Sequence, residues 1–392
     1  MHYAVPRILH RAGRLRHLFT DLCAAKGWLR VLLVWPPGAG PDGIRRLRDR
    51  RPQGIPSGSI TAFTRMGMEY AARRRRARSS SDVTAAHLWA GRSFCECVLR
   101  EGWEGGAAVY AFNSAALELL TAARRRGVPG ILEQTIAPRA VEEKLLADER
   151  RRHPGWEEEG SDAHAAEFIQ REQEEWAAAS TILCASEFVR ESVRACGGPD
   201  GRCVVVPYGV DAVAPVRRTA RGGPLRVLTV GAVGLRKGTP YLWQAAARLG
   251  RRAVFQIAGP VNILPAAARR MAPHVELRGA IPRSELAKAY AWADVFLLPS
   301  LCEGSATAIY EALSAGLPVV CTPNAGSVVR DGVDGFIVPI RDADAIVERL
   351  TLLAEDASRR ESMSHAAGER AQEYTLEQYG QRLLSVICPG LA

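Results

Sequence analysis

Residues 297–322 read LLPSLCEGSATAIYEALSAGLPVVCT, and the fold prediction starts from this stretch. With the apolar residues just before it, the stretch predicts a buried strand over residues 294–300, followed by a loop and a helix. Gly316 suits the left-handed conformation that closes a helix, and Pro318 prevents the helix from continuing. A second buried strand is predicted at residues 319–321. This strand, loop, helix, strand order is typical of a parallel α/β sheet.

The loop after the first of these strands is a candidate anion site. If the helix begins near Ala306, four successive backbone N–H groups lie at its N-terminus. N–H groups placed there, at the carboxyl end of a strand, form a good site for a diphosphate. The four residues are Gly304, Ser305, Ala306 and Thr307.

Two acidic residues flank this candidate site. Glu303 lies in the loop, and Glu311 follows eight residues later in the helix. A carboxylate beside a phosphate site is costly unless it binds something else. The hydroxyl groups of a ribose or a sugar are suitable ligands, because a carboxylate accepts two hydrogen bonds from neighbouring hydroxyls.

A glycine-rich loop, GAVGLRKG at residues 231–238, follows another predicted strand and precedes a helix. Its glycines do not have the spacing of a Rossmann or a Walker motif. The alternative to a functional role is a pair of surface cations at Arg236 and Lys237.

The Glu-x7-Glu spacing, with its preceding strand and following AGLPVV, resembles the donor-site signature of retaining glycosyltransferases of family 4. The segment VPYGVD at 206–211 resembles the one that closes the first domain in that family. The resemblance implies an α/β protein with the GT-B fold, in which two doubly wound Rossmann-like domains face a central cleft.

The resemblance also implies roles for individual residues. Arg236 and Lys237 would hold the donor diphosphate, with Gly234 and the backbone of residues 304–307 beside it. Glu303 would face the donor sugar and Glu311 the ribose. A guanidinium fork and an ammonium can neutralise the charge that builds on a leaving nucleoside diphosphate. The implied catalytic residues are therefore Glu303, Arg236 and Lys237.

The implied reaction moves a sugar from a UDP- or GDP-sugar to an acceptor hydroxyl with retention, and the leaving phosphate takes the proton of the acceptor. We expect no metal and no cofactor. The Asp342-Ala-Asp344 triplet looks like a metal-binding DxD motif, but its position before an amphipathic helix favours Asp342 as an N-cap. The acceptor could be a saccharide, a lipid-linked group or a small molecule, and no nucleic acid partner is expected.

The first half of the chain matches this family less well. It starts with a predicted helix at residues 1–21, without the strand and glycine-rich turn that open such a domain. The family's histidine after the strand that is predicted here at residues 129–135 is absent, and Glu133 and Gln134 stand there instead. They could contact the donor sugar, although a structural role is at least as plausible.

Two alternatives to a transferase remain. One is a non-catalytic or truncated nucleotide-sugar-binding GT-B protein that acts as a partner subunit. The other is a GT-B epimerase, which the combination of Arg236-Lys237 with the Glu-x7-Glu motif disfavours.

Strands and helices alternate along the chain, most regularly in its second half. After residues 1–21, the first half predicts strand 30–35, helix 82–101, strand 107–113, helix 114–126 capped by Ser114, strand 129–135, a charged helical region at 141–179, strand 181–186, helix 187–195 and strand 202–207. The second half predicts strands 225–231, 253–258, 275–278 and 335–339, and helices 239–249, 265–271, 284–292 and 376–387.

A segment rich in Arg, Pro and Gly at residues 212–223 suggests the domain boundary. We predict an acceptor-side domain at 1–211 that lacks its first strand, a donor-binding domain at 212–372, and a C-terminal helix at 373–392 that crosses back to the first domain.

The composition bounds the class of protein. The chain has 392 residues, a formal net charge of +10 and nine cysteines, and no apolar run approaches the length of a membrane span. We expect reduced cysteines and a cytoplasmic protein. Arginine runs at 73–76 and 124–126 could contact an anionic membrane surface or an acidic acceptor, although a solvated helix face is the favoured interpretation.

Overall fold

A computed structural model describes residues 3–27, 29, 31, 47–48, 50–103, 105–158, 160–211 and 222–388. The strands are β1 (Leu18–Thr20), β2 (Ile60–Ala62), β3 (Val109–Phe112), β4 (Gly130–Gln134), β5 (Thr181–Cys184), β6 (Cys203–Val205), β7 (Leu225–Val230), β8 (Ala253–Ala258), β9 (Val275–Gly279), β10 (Val295–Leu298), β11 (Val319–Cys321) and β12 (Gly335–Ile337). They form three parallel sheets, with the orders β1-β2, β3-β4-β5-β6 and β12-β11-β10-β7-β8-β9.

Helices cover the two larger sheets. They are α1 (Ala4–Arg11), α2 (Thr64–Arg76), α3 (Ser80–Glu101), α4 (Leu117–Arg125), α5 (Arg139–Arg152), α6 (Ala165–Ala178), α7 (Glu187–Ala195), α8 (Thr239–Leu249), α9 (Pro265–Met271), α10 (Arg283–Trp292), α11 (Thr307–Ser314), α12 (Ala343–Glu355), α13 (Ala357–Gln372) and α14 (Leu376–Ile387). Within the described ranges, no helix is long and apolar enough to cross a membrane.

The six-stranded sheet is buried on both faces, as its continuous apolar strands predict. Along β10, Leu297 packs into the core on one face, and Phe296 and Leu298 pack into the core on the other. All three side chains are fully buried. Burial of each contributes about 1.5–3 kcal/mol. The strand order changes direction between β7 and β10, because β8 and β9 lie on one side of β7 and β10 to β12 on the other.

This change of direction determines where the site lies. In an open parallel sheet, ligands bind beyond the carboxyl ends of the strands at which the order reverses. The loops that leave these ends of β7 and β10 are the glycine-rich loop at 231–238 and the glutamate loop at 299–306. The topology therefore brings together two motifs that are far apart in the sequence.

The last helix, α14, lies against the first half of the chain. Leu383 and Tyr379 pack with Ile131 of β4 and Leu183 of β5, and with Val5 of α1. The predicted domain limits stay a prediction, since residues 212–221 lie outside the described residues.

Of the predictions for the start of the chain, one needs correction and another stays untested. The helix predicted over residues 1–21 ends at Arg11, because Gly13 takes a left-handed conformation with φ +66°. Residues 18–20 form β1 instead, paired with β2. Most of the strand predicted at 30–35 lies outside the described residues.

The predicted cap of helix α4 is also wrong. Ser114 has a left-handed backbone with φ 70°, and α4 begins at Leu117. The buried carboxylate of Glu175 replaces the expected cap, since it accepts the N–H groups of Ser114 at 2.8 Å and Ala116 at 3.0 Å. The capping group thus comes from α6, not from the residue next to the helix.

Candidate active site

The two loops at the change of strand order touch through their backbones. Gly238 has φ +67°, and a Cβ atom there would lie 1.9 Å from the carbonyl oxygen of Pro299, so only glycine fits. The N–H of Leu301 donates to the carbonyl of Arg236 at 2.9 Å. These contacts hold Arg236 and Lys237 beside the glutamate loop.

Both predicted cations reach the same carboxylate. Lys237 Nζ lies 2.5 Å and Arg236 Nη1 3.4 Å from Glu303 Oε1. Arg236 Nη1 also donates to the carbonyl of Cys302 at 3.1 Å. Glu303 is 8% exposed, so its carboxylate is sheltered from water. The structure therefore brings the three predicted catalytic residues together.

Glu303 Oε1 keeps an unused capacity for hydrogen bonding. The ammonium of Lys237 is close to it, but not in a direction that makes a hydrogen bond, and this buried atom has no hydrogen-bond partner in the described part of the chain. The two cations compensate the charge of this oxygen, but it keeps the capacity to accept a hydrogen bond. A ligand hydroxyl would satisfy it.

Fewer backbone N–H groups are available to a diphosphate than the sequence predicts. The N–H of Ala306 donates to the carbonyl of Ala325 at 3.1 Å, so it is not available to a ligand. For the N–H groups of Gly304, Ser305 and Thr307, no hydrogen-bond acceptor is found among the described residues. The Ser305 hydroxyl bonds within the protein, at 2.6 Å from the hydroxyl of Tyr310.

Glu311 lies in the helix that follows these N–H groups, at the end of its first turn. The hydroxyl of Tyr290 donates to Glu311 Oε2 at 2.9 Å and approaches the carbonyl of Ala308 at 3.3 Å. Burial, and then the charge of Glu311, raise the pKa of Tyr290 well above its usual value, so Tyr290 remains a hydrogen-bond donor. Tyr290 is not among the predicted site residues, because its signal in the sequence is only that of an aromatic residue near the end of a helix.

The first half of the chain closes directly onto the glutamate loop. A Cβ atom on Gly304 would lie 1.8 Å from the carbonyl oxygen of Thr135. The Gly304 carbonyl accepts the hydroxyl of Ser186 at 2.5 Å, and the Glu303 carbonyl accepts the N–H of Ala137 at 3.4 Å. The candidate site thus lies in a cleft between the two large sheets.

Glu133 makes its hydrogen bonds inside the first half of the chain. The hydroxyl groups of Tyr110 and Tyr208 donate to its carboxylate, the latter at 2.8 Å. Burial raises the pKa of Glu133. These contacts favour the structural alternative over contact with a donor sugar.

Gln134 points to the opposite face of β4 and is fully buried. Its Oε1 accepts the indole N–H of Trp176 at 2.9 Å, and its Nε2 donates to Glu172 at 3.2 Å. The structural alternative is favoured here too.

Two carboxylates from the first half reach the glycine-rich loop, and neither is among the predicted site residues. Glu157 Oε1 accepts the N–H of Leu235 at 2.6 Å, and a Cβ atom on Gly234 would lie 2.7 Å from the same oxygen. Glu142 Oε1 lies 3.9 Å from Arg236 Nε. No local pattern marks these glutamates, because their partners are distant in sequence.

The DxD-like triplet caps a helix as predicted. Asp342 precedes α12, and its carboxylate accepts the N–H of Ala345 at 2.8 Å. Asp344 pairs with Arg248 at the surface.

The second half of the chain is similar to a known protein family. Residues 224–356 match the family "Glycosyl transferases group 1". A Salmonella typhimurium protein assigned as the colanic acid biosynthesis glycosyltransferase WcaL is 28% identical over 226 residues, which cover 53% of this chain and 56% of that protein. A D-inositol 3-phosphate glycosyltransferase of Xylanimonas cellulosilytica is 32% identical over 228 residues, covering 51% and 54%. The chain thus spans about half the length of these relatives.

Solved structures resemble nearly the whole chain. The sucrose-phosphate synthase of Thermosynechococcus elongatus has a TM-score of 0.63 at 15% identity, covering 97% of this chain and 90% of that one. Anabaena HepE in complex with UDP and glucose has a TM-score of 0.61 at 15% identity, covering 98% and 95%. The fold is GT-B, with two Rossmann-like domains, as the sequence predicts.

Proposed function

We propose that this chain transfers a sugar from a nucleotide-sugar donor to an acceptor hydroxyl, and the similarity of residues 224–356 to the group 1 glycosyl transferases supports this proposal. We further propose that the transfer proceeds with retention at the anomeric carbon, without a metal, and from a UDP- or GDP-sugar. The presence of UDP in the Anabaena HepE complex makes UDP-sugars the first donors to examine.

One observation carries the proposal. Arg236 and Lys237 converge on Glu303 at the carboxyl ends of β7 and β10, where the strand order reverses. Two cations beside a sheltered carboxylate with an unused acceptor atom suit a ligand that joins an anion to hydroxyl groups. A nucleoside diphosphate linked to a sugar is such a ligand.

The proposed chemistry follows from these positions. Arg236 and Lys237 stabilise the diphosphate as its bond to the anomeric carbon breaks, because positive groups in a sheltered site favour the developing negative charge. The acceptor oxygen forms its bond to the same face of that carbon. Its proton passes to the departing phosphate oxygen, so that no protein base is required. Glu303 orients the sugar and Glu311 the ribose through hydroxyl groups.

Nucleotide release from purified protein tests the activity. UDP-, GDP- and ADP-sugars would be supplied with candidate saccharide, lipid-linked and small-molecule acceptors, with and without EDTA. Release from one donor that EDTA does not reduce would support metal-independent transfer and identify the sugar. Tight nucleotide binding without release would favour the non-catalytic partner subunit, for which the internal bonding of Glu133 and Gln134 is the supporting observation.

The Lys237→Ala variant tests the site itself. We expect the dissociation constant of the bound nucleoside diphosphate to rise about 10- to 100-fold, since a hydrogen bond to a charged group contributes roughly 1.5–3 kcal/mol. Titration calorimetry would measure it. Lys288→Ala is the control, because Lys288 pairs with Glu285 on the surface. Equal affinities for the two variants would contradict the assignment of Lys237.

A further inference from the structure

Helix α5 brings a second carboxylate to the cleft, opposite Glu303. Glu142 lies in the first turn of α5, which packs against the turn Leu235–Lys237. Its Oε1 is 3.9 Å from Arg236 Nε, and its Oε2 accepts Nη1 of Arg139 at 3.0 Å. Arg236 therefore lies between two carboxylates, Glu142 from the first domain and Glu303 from the second.

We propose that Glu142 is a specificity-determining residue that accepts a hydrogen bond from a hydroxyl group of the donor sugar. This inference rests on the proposed function and extends it, because it assigns a sugar contact to the first domain. The candidates Glu133 and Gln134 make their bonds elsewhere, whereas Glu142 faces the catalytic cations.

Charge balance supports this role. Without a ligand, the two cations of the site are shared by two carboxylates, Glu142 and Glu303. An anionic diphosphate that binds Arg236 and Lys237 takes over their positive charge. Both carboxylates then lie beside an anion in a partly buried cleft. Arg139 still donates to Glu142 Oε2, but Glu142 Oε1 and Glu303 Oε1 need other donors to offset the cost of burial. The sugar, which is bonded to the diphosphate, carries hydroxyl groups that can serve as those donors.

The other acids near Arg139 do not fit this role. Glu143 and Asp162 accept the same guanidinium at 2.7 and 2.8 Å. Asp162 also accepts the hydroxyl of Thr84 at 2.5 Å. Within the described ranges, the ion pairs of Arg236 and Lys237 include neither acid. Glu143 is therefore a matched control, one residue away in the same helix and bound to the same arginine.

The test compares Glu142→Gln with Glu143→Gln. Calorimetry in EDTA would measure the affinities for UDP and UDP-glucose, GDP and GDP-mannose, and ADP and ADP-glucose. For the pair that the wild type binds, we expect Glu142→Gln to leave nucleotide affinity unchanged or up to about three-fold tighter, since a negative charge beside Arg236 is removed. Affinity for the nucleotide sugar should fall about 10-fold relative to the nucleotide, as a charge-assisted hydrogen bond is lost. Glu143→Gln should leave this ratio unchanged.

Glu142→Asp provides a second variant that keeps the charge but shortens the side chain, and it should lower the same ratio. Thermal unfolding would verify that all three variants fold. A wild-type ratio in Glu142→Gln, or an equal loss for nucleotide and nucleotide sugar, would overturn the inference while leaving the proposed function in place. If the wild type binds none of the nucleotide sugars, the proposed function and this inference fall together.

Discussion

Both ends of helix α5 contact the second domain through a glutamate. The two carboxylates differ in how far their hydrogen-bond and ion-pair partners are supplied by the protein. At the first end, Glu142 is partly exposed. Its Oε2 accepts Arg139 Nη1 at 3.0 Å, but its Oε1 is only loosely paired with Arg236, at 3.9 Å. Near the other end, Glu149 is fully buried, accepts Arg341 Nε at 2.5 Å and accepts the hydroxyl of Tyr241 at 2.9 Å. The partners of the Glu149 carboxylate are supplied by the protein, whereas Glu142 Oε1 can still accept a hydrogen bond.

The residues after α5 extend the closely packed end. Trp156 is buried in the core of the second domain, and its carbonyl accepts the N–H of Leu264 at 2.8 Å. His153 contacts Tyr241 at 3.1 Å. This end anchors the two domains to each other, so α5 presents Glu142 from a fixed support. A buried carboxylate whose hydrogen bonds and ion pairs are all made within the protein indicates a structural role. A carboxylate with an oxygen that can still accept a hydrogen bond indicates contact with a ligand.

Arg341→Ala should lower the free energy of unfolding, and we expect the largest effect from this change, because it removes the ion pair of Glu149 at the closely packed end of α5. It leaves the buried Glu149 carboxylate without its guanidinium, and breaking a buried ion pair costs about 3–5 kcal/mol. Urea unfolding would measure the loss of free energy of unfolding. Arg248→Ala is the control, because its exposed pair with Asp344 should contribute less than about 1 kcal/mol. A similar small loss for both variants would mean that the Glu149 pair does not anchor the domains.

Glu172→Gln tests a buried carboxylate whose partners all lie in one domain, in contrast to Glu142 and Glu149, which contact the other domain. Burial raises the pKa of Glu172 from 4.5 to about 7 in the folded protein. From pH 4.5 to 7 the unfolded chain releases this proton while the folded protein retains it. The free energy of unfolding of the wild type should therefore fall as the pH rises through this window.

Replacing Glu172 by Gln removes this contribution. The stability of the variant relative to the wild type should improve by roughly 3 kcal/mol between pH 4.5 and pH 8, from the size of the pKa shift. Urea unfolding across this range would measure it. Glu174→Gln, an exposed change in the same helix, should show no such trend. Parallel pH profiles for wild type and Glu172→Gln would count against an enclosed, proton-retaining Glu172.

The sequence predicted the second domain well because its signals are local. Helices at 239–249 and 265–271 and strands at 253–258 and 319–321 have the predicted limits, since apolar runs alternate there with glycine and proline. Glu303, Arg236 and Lys237, which the resemblance assigns to one site, lie together because a parallel sheet gathers the carboxyl ends of its strands.

What the sequence could not predict depends on contacts between distant residues. The pairing of Glu142 with Arg236 requires the relative placement of two domains, and no local pattern encodes it. The amide of Ala306 is engaged because the turn that contains Ala325 folds back onto it. Ser114 failed as a cap because Glu175, a tertiary partner, supplied a better acceptor.

Tyr290→Phe should have the smallest effect of these changes, because it keeps the Glu311 carboxylate and removes only the hydroxyl that positions it. It removes the hydroxyl that holds Glu311, so the preference for UDP over 2′-deoxy-UDP should weaken by about 2- to 10-fold, since one hydrogen bond contributes roughly 0.5–1.5 kcal/mol. Competition binding would measure the preference. Glu311→Ala should abolish it while leaving the fold intact, and adding Tyr290→Phe to that variant should then change nothing more. An additional loss in the double variant would show that Tyr290 acts through the packing of α10 and not through Glu311.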